Sequence, residues 1–176
     1  IFFQPIPRDD TLFLAKGPAG LYLLRAPSGE ILRLTTTSVI AAATAPGKVI
    51  WATFDAKTNA SLVSSYDIPS QNRNANFEFV PGKVTSFVLR DSGDIFALAN
   101  DGSLYALNLN QSSRVRLAQN VRDVTLANDD GKLAVLDGRG MKIFFLRENL
   151  PELDMQLPDA ARIQRLVWYR DGEHLF

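Results

Sequence analysis

Arginine and aspartate side chains at the ends of apolar segments are the residues of this sequence best suited to chemistry. Arg90-Asp91 follows one such segment, Arg122-Asp123 begins another, and Arg165 and Arg170 flank a third. Arginines and carboxylates that converge in one cleft can bind an anionic or sugar-like ligand. The candidate ligand- or partner-binding residues are Arg73, Arg90, Asp91, Arg122, Asp123, Arg165 and Arg170.

Residue types that usually mark catalytic or metal centres are scarce. The chain has one histidine, His174, and no cysteine, which excludes Cys nucleophiles, Cys-ligated metal sites and disulfides. A general base at His174 would need a nucleophile or a carboxylate partner, and we interpret this residue as part of a strand at a sheet edge. We therefore predict no catalytic residue, no metal ligand and no cofactor.

Clustered aspartates and one glycine-rich stretch have simpler structural interpretations. Asp129-Asp130 and the pair Asp91 and Asp94 lack the alternating carboxylate spacing of a calcium-binding loop. We interpret them as turn residues whose side chains accept hydrogen bonds from their own backbone. No helix follows residues 138–140 (GRG), so a hairpin turn is expected there rather than a phosphate-binding loop.

Two tryptophans and one polar segment are candidates for partner contacts. Trp51 and Trp168 would form an aromatic platform if they were exposed, but both lie in apolar segments and are predicted to be core residues. Residues 69–78 (PSQNRNANFE) form the longest polar segment, which is predicted to be a loop. Arg73 and the asparagines beside it are candidates for contact with a partner, and the alternative is a mobile outer hairpin.

Composition and charge limit the classes of partner. The chain has 176 residues, of which 46% are hydrophobic and 22% charged, as in a single globular domain. Lys+Arg and Asp+Glu both number 19, and this balance argues against a nucleic-acid partner because nucleic-acid binders usually carry a basic excess. The most apolar region, 39–54, is interrupted by Pro46-Gly47-Lys48, so we expect no membrane insertion. No signal peptide is recognised, and the apolar ends of the chain predict an excised fragment of a larger protein.

Short apolar segments separated by Gly, Pro, Asn, Asp and Ser dominate the sequence and predict strands and turns. The only stretch with some helical character, 148–166, is interrupted by two prolines. Turn glycines at positions 47, 93, 131 and 172 recur at intervals of 46, 38 and 41 residues. A period of about 40 is typical of four-stranded propeller blades, with units predicted at about 1–38, 39–82, 83–119, 120–161 and, in part, 162–176. The second strand of each unit is apolar on both faces, as expected for a strand that lies between stacked sheets.

The last unit carries a family resemblance. In residues 166–176 (LVWYRDGEHLF), Trp168, Asp171-Gly172 and Leu175-Phe176 resemble the W-x-x-D-G-x-x-L-x-F pattern of TolB-type and WD40-like β-propeller repeats. The resemblance implies an all-β propeller of about four four-stranded antiparallel blades plus a fragment of a fifth. It also implies protein interaction, and its TolB-like part favours an extracytoplasmic location.

Two functional hypotheses follow, from different classes. The leading one is a non-catalytic interaction scaffold that binds a protein or peptide through its loop face and draws on the missing blades of its parent chain. The alternative is a ligand-binding or hydrolase/lyase-type propeller, with its site at the central funnel among the arginines and aspartates named above. A domain tethered to a membrane by a segment outside this sequence is a third hypothesis.

Overall fold

The described residues form four four-stranded sheets in chain order. A computed structural model describes residues 2–109 and 111–176, with side chains described for 3–73, 79–109 and 111–176. Sheet 1 contains β1 (Phe2–Ile6), β2 (Asp9–Gly17), β3 (Gly20–Arg25) and β4 (Glu30–Thr35), and sheet 2 contains β5 (Val39–Ala45), β6 (Lys48–Asp55), β7 (Ala60–Asp67) and β8 (Asn72–Pro81). Sheet 3 contains β9 (Val84–Leu89), β10 (Ile95–Ala99), β11 (Leu104–Asn108) and β12 (Ser113–Ala118), and sheet 4 contains β13 (Asp123–Leu126), β14 (Lys132–Leu136), β15 (Gly140–Phe145) and β16 (Leu153–Gln156). The predicted all-β architecture of four-stranded antiparallel sheets is confirmed.

The chain divides into two compact units, Ile1–Asn100 with Tyr105–Val115, and Asp101–Leu104 with Arg116–Phe176. In the first unit, β6 is buried on both faces because its side chains alternate between two apolar clusters. Val49 and Trp51 pack with residues of sheet 1 such as Leu14. Ile50 and Ala52 pack in a second cluster with residues of sheet 3. The prediction that second strands are apolar on both faces is therefore correct for β6.

A buried serine links sheet 2 to sheet 3 within the first unit. The Ser61 hydroxyl donates to the carbonyl oxygen of Gly82 at 2.8 Å and accepts from the amide of Val84 at 2.9 Å. Its side chain is fully buried, so these bonds satisfy polar groups that water cannot reach. The contact fixes the point at which β9 begins.

In the second unit, the terminal segment packs on sheet 4. Leu166 and Trp168 join Ala134, Leu136 and Met141 in one buried cluster. Trp168 is also bridged to Leu175 in an antiparallel hairpin that turns at Asp171-Gly172. The prediction of Trp168 as a core residue is confirmed, and the hairpin follows the four sheets in the chain.

Asp129 accepts from the backbone of its own turn, as predicted, whereas Asp94 accepts from the side chains of Arg90 and Ser92 instead. Asp129 Oδ1 accepts from the amide of Gly131 at 2.9 Å. Asp137 Oδ1 accepts from the amides of Arg139 and Gly140 at 2.7 and 2.9 Å, so residues 138–140 form the expected hairpin turn. An aspartate side chain that accepts from the backbone two residues on supplies the turn with a fixed acceptor.

The expected loop over 69–78 is wrong for most of its length. Strand β8 begins at Asn72 and pairs with β7, with Asp67 opposite Asn72 and Tyr66 opposite Arg73. Its side chains at 72 and 73 are exposed, which explains why the segment is polar although its backbone belongs to the sheet. The asparagine and glutamate side chains at 74–78 lie outside the described residues.

Candidate interaction surface

An open groove of about 660 Å³ lies in the first unit, between the start of β5 and the facing part of β9. The end of β2 closes it on one side. We call it the β5–β9 groove and define it by Lys16, Ser38, Ile40, Ala42, Thr85, Ser86 and Phe87. It lies where turns and strand starts meet, and it is larger than three other cavities lined by described residues.

Small side chains create this groove. Strand β5 contains the run Ala41-Ala42-Ala43, and β9 presents Thr85 and Ser86 with exposed side chains. The two strands lie beside one another, so the space above their short side chains stays open. The turn before β5 is held by a threonine side chain, since the amide of Thr37 donates to Thr35 Oγ1 at 3.2 Å.

Lys16 is the charged residue of the groove. Its side chain is half-buried, and Nζ donates to the carbonyl oxygen of Ile40 at 3.0 Å. The hydroxyl of Thr85 is already bound to the carbonyl oxygen of Leu98 at 3.0 Å, whereas Ser38 and Ser86 are exposed beside the cavity. The groove therefore combines one cation, hydroxyl groups and the apolar surface of Ile40 and Phe87.

Arg90 and Asp91, two of the predicted site residues, take part in ion pairs of the first unit. Arg90 is buried, with 8% of its surface exposed, and donates to the carboxylate of Asp94. Asp91 accepts from Arg8, which lies in the turn between β1 and β2. These contacts join the β9–β10 turn internally and to sheet 1.

Arg122 and Asp123 hold the terminal segment of the second unit. Arg122 Nη1 donates to the carbonyl oxygens of Ala160 and Ala161 at 3.2 and 3.1 Å. Asp123 Oδ2 accepts from the amide of Leu166 at 2.6 Å. These bonds are made to backbone groups, so the two side chains hold the main chain of the terminal segment in place.

The remaining predicted residues are Arg73 in the first unit and Arg165 and Arg170 in the second. Arg165 and Arg170 have exposed side chains on either side of the buried Trp168. Arg73 lies with its guanidinium carbon 5.6 Å from the centre of the Trp51 ring, a cation–π distance. Trp51 is only 1% exposed, so its prediction as a core residue is confirmed and Arg73 covers it from the outer strand.

His174 does have a carboxylate partner, which the sequence interpretation did not foresee. Its Nδ1 lies 2.7 Å from Asp171 Oδ2. Asp171 also accepts from the amides of Glu173 and His174 at 2.8 and 3.1 Å. The amide of Glu173, then His174, lowers the pKa of Asp171 to about 2. Both residues lie at an exposed hairpin turn, and their contact closes that turn.

Metal-binding clusters and membrane-spanning helices can be assessed in the described part of the chain. It holds no group of three or more His, Asp or Glu side chains placed to bind a metal ion. Within the same residues, no helix is long and apolar enough to cross a membrane.

Comparison with known structures places the fold. The chain is similar to the tricorn protease (TM-score 0.73, 10% identity), covering 99% of this chain and 18% of that one. It is similar to the Dos1 propeller (TM-score 0.68, 10% identity; 98% and 49% covered) and to the N-terminal domain of Nup159 (TM-score 0.62, 19% identity; 90% and 45% covered). No protein-family model and no curated protein sequence matches the chain.

The chain therefore has a β-propeller fold, resembling WD40/TolB-like repeats as the sequence indicated. It spans less than half the length of each of these structures. Another match is a structure of S. cerevisiae Dbp5 bound to Nup159, Gle1, IP6 and ADP. Propellers similar to this chain thus occur both in assemblies with protein partners and in a protease.

Proposed function

We propose that this chain is an interaction scaffold that binds an extended segment of a partner protein in the β5–β9 groove. The observation that carries the proposal is the groove itself, about 660 Å³ in volume and lined by short side chains. Small side chains let a second backbone approach closely, while Ile40 and Phe87 offer apolar contact.

The nature of the similar structures supports a binding role more than a catalytic one. Nup159 is found in a complex with Dbp5 and Gle1, whereas the tricorn protease is an enzyme. In this chain the side chains predicted for a ligand-binding or hydrolase/lyase-type funnel, such as Arg90, Asp91 and Asp123, are engaged in contacts that stabilise turns and the terminal segment. The scaffold is therefore our choice between the two hypotheses.

A matched pair of tyrosine substitutions tests the proposal. Ser86 and Ser113 are both exposed strand residues, in β9 and β12, but only Ser86 lines the groove. Short random peptides displayed on phage are selected against the full chain and then measured against the Ser86→Tyr and Ser113→Tyr variants. We expect Ser86→Tyr to weaken the selected peptides at least about tenfold, which is about 1.4 kcal/mol, because the ring fills the groove, and Ser113→Tyr to bind as the parent chain does.

Circular dichroism and thermal melting of both variants show whether each is folded. Peptides that bind Ser86→Tyr as tightly as the parent chain, or a selection that yields no binding peptide, would overturn the proposal.

A further inference from the structure

The β5–β9 groove has an unbalanced charge. Lys16 is the one charged side chain among its described lining residues, and none of them is acidic. Its ammonium group uses one hydrogen bond, to the carbonyl oxygen of Ile40, and an ammonium group has three protons to donate. A half-buried cation with remaining donors is best satisfied by an anion.

Other groups around the groove also favour a negatively charged ligand. Arg33 Nη2 donates to the carbonyl oxygen of Ala19 at 2.7 Å, in the β2–β3 turn that also contributes Pro18 to the lining. Ser38 and Ser86 add hydroxyl donors beside the cavity. A carboxylate in the groove would thus meet a cation and hydroxyl groups together.

Several aspartates of the first unit have partners of their own. Asp91 and Asp94, at the far end of β9, are paired with Arg8 and Arg90. Asp55, after β6, accepts from the amide of Lys57 at 2.9 Å and the hydroxyl of Thr58 at 3.0 Å. These carboxylates have partners of their own, and none of them lines the groove beside Lys16.

We propose that the occupant of the β5–β9 groove is an acidic segment of a partner protein, with one aspartate or glutamate carboxylate bound to Lys16. The proposal rests on the proposed function and adds to it the chemical class of the partner. An extended segment with alternating acidic and apolar residues fits the lining, because Ile40 and Phe87 supply an apolar side to the same cavity.

Three labelled peptides of equal length test the inference: alternating Glu-Val, Gln-Val and Lys-Val. Fluorescence anisotropy measures each of them against the parent chain, Lys16→Gln, Lys16→Glu and the control Lys57→Gln, an exposed lysine outside the groove. We expect the parent chain to bind Glu-Val roughly two- to fivefold more tightly than Gln-Val. High salt should reduce this preference in part, since the groove is open to solvent and its ion pair is partly screened.

The variants then separate charge from fold. Lys16→Gln retains a donor for the Ile40 carbonyl but has no charge, so it should lose the preference, and Lys57→Gln should keep it. Lys16→Glu should prefer Lys-Val, a reversal that loss of structure cannot produce.

The contrary outcomes are distinguishable. Equal binding of Gln-Val and Glu-Val that Ser86→Tyr abolishes would overturn the acidic class and leave the groove as a binding site. Binding that Ser86→Tyr does not change would overturn the proposed function as well. Tighter binding of a phosphoserine peptide, displaced by inorganic phosphate, would assign the cation to phosphate and overturn the carboxylate.

Discussion

In two of the sheets, a single glycine leaves room for the fourth strand to pack closely against the third. A Cβ atom on Gly20 would lie 1.9 Å from the carbonyl oxygen of Thr35, and one on Gly140 would lie 2.0 Å from that of Met155. Both glycines begin the third strand of their sheets, β3 and β15. The fourth strand approaches so closely there that only a hydrogen atom fits.

The β14–β15 turn offers a matched test of this requirement. Gly140→Ala should destabilise the chain by about 1–3 kcal/mol, because the methyl group meets main-chain atoms that cannot rotate away. Gly138→Ala, two residues earlier, meets nothing within 4 Å and should change stability by no more than about 0.5 kcal/mol. Thermal unfolding of both variants measures the difference, and equal melting temperatures would contradict the steric argument.

At the scale of elements, the terminal segment depends on contacts from sheet 4. Asp123 accepts from the amide of Leu166, and the indole Nε1 of Trp168 donates to the carbonyl oxygen of Thr125 at 3.3 Å. Lys132 Nζ donates to the carbonyl oxygen of Gly172 at 3.1 Å. Strands β13 and β14 thus hold the hairpin by its backbone as well as by its apolar side chains.

Removal of the Asp123 acceptor should loosen this segment. Asp123→Ala leaves the amide of Leu166 without its partner, and we expect a loss of about 1–3 kcal/mol, faster proteolysis after residue 157 and a red shift of Trp168 fluorescence. Asp123→Asn keeps an acceptor oxygen and should stay close to the parent chain. The observation that would refute this role is an Ala variant as protease-resistant as the Asn variant.

The strands were predictable because their signals are local. Apolar segments of period two, bounded by residues such as Asp171 and Gly172, determine a strand and a turn within a few residues. The segment 69–78 was misjudged because its polar side chains are exposed on an outer strand, and only the pairing of Tyr66 with Arg73 shows that its backbone lies in the sheet.

The groove could not be predicted in the same way. Lys16, Ser38 and Ser86 are far apart in the sequence and meet only because β5 lies beside β9 and the end of β2. The predicted arginines and aspartates were chosen for their chemistry, but the fold uses the best placed of them, such as Arg90 and Asp123, for its own hydrogen bonds. A single sequence shows neither which distant residues come together nor which side chains the fold already uses for its own hydrogen bonds.

For the molecule as a whole, aspartates in several turns have lowered pKa values for the same reason. Hydrogen bonds from Thr11, from the amide of Lys57 and from Ser70 lower the pKa values of Asp9, Asp55 and Asp67, as the amide of Glu173 does for Asp171. Each bond favours the ionised carboxylate of the folded state. These aspartates occur in both units, so the effect does not depend on one sheet.

Two lysines have raised pKa values, which affect stability at high pH. The Glu173 carboxylate raises the pKa of Lys132, and Asp154 and then Glu152 raise that of Lys142. A group with a raised pKa stabilises the fold fully below its ordinary value, here 10.5, and this contribution is lost as the pH rises through the folded value. For the aspartates the sign is reversed: the contribution is complete above the ordinary value of 3.8 and is lost as the pH falls through the lowered one.

The melting temperature should therefore be flat near neutral pH and fall between about pH 4 and pH 2, where the turn aspartates become protonated. Asp171→Asn should flatten part of this decline, because the amide still accepts from the backbone but does not titrate. Asp10→Asn, at an exposed position, should follow the parent chain. Calorimetry across this range measures all three proteins. A parent melting temperature that does not change between about pH 5 and pH 2 would mean that the turn bonds contribute no net stability. An Asp171→Asn curve parallel to that of the parent chain would mean that other carboxylates cause the fall in melting temperature.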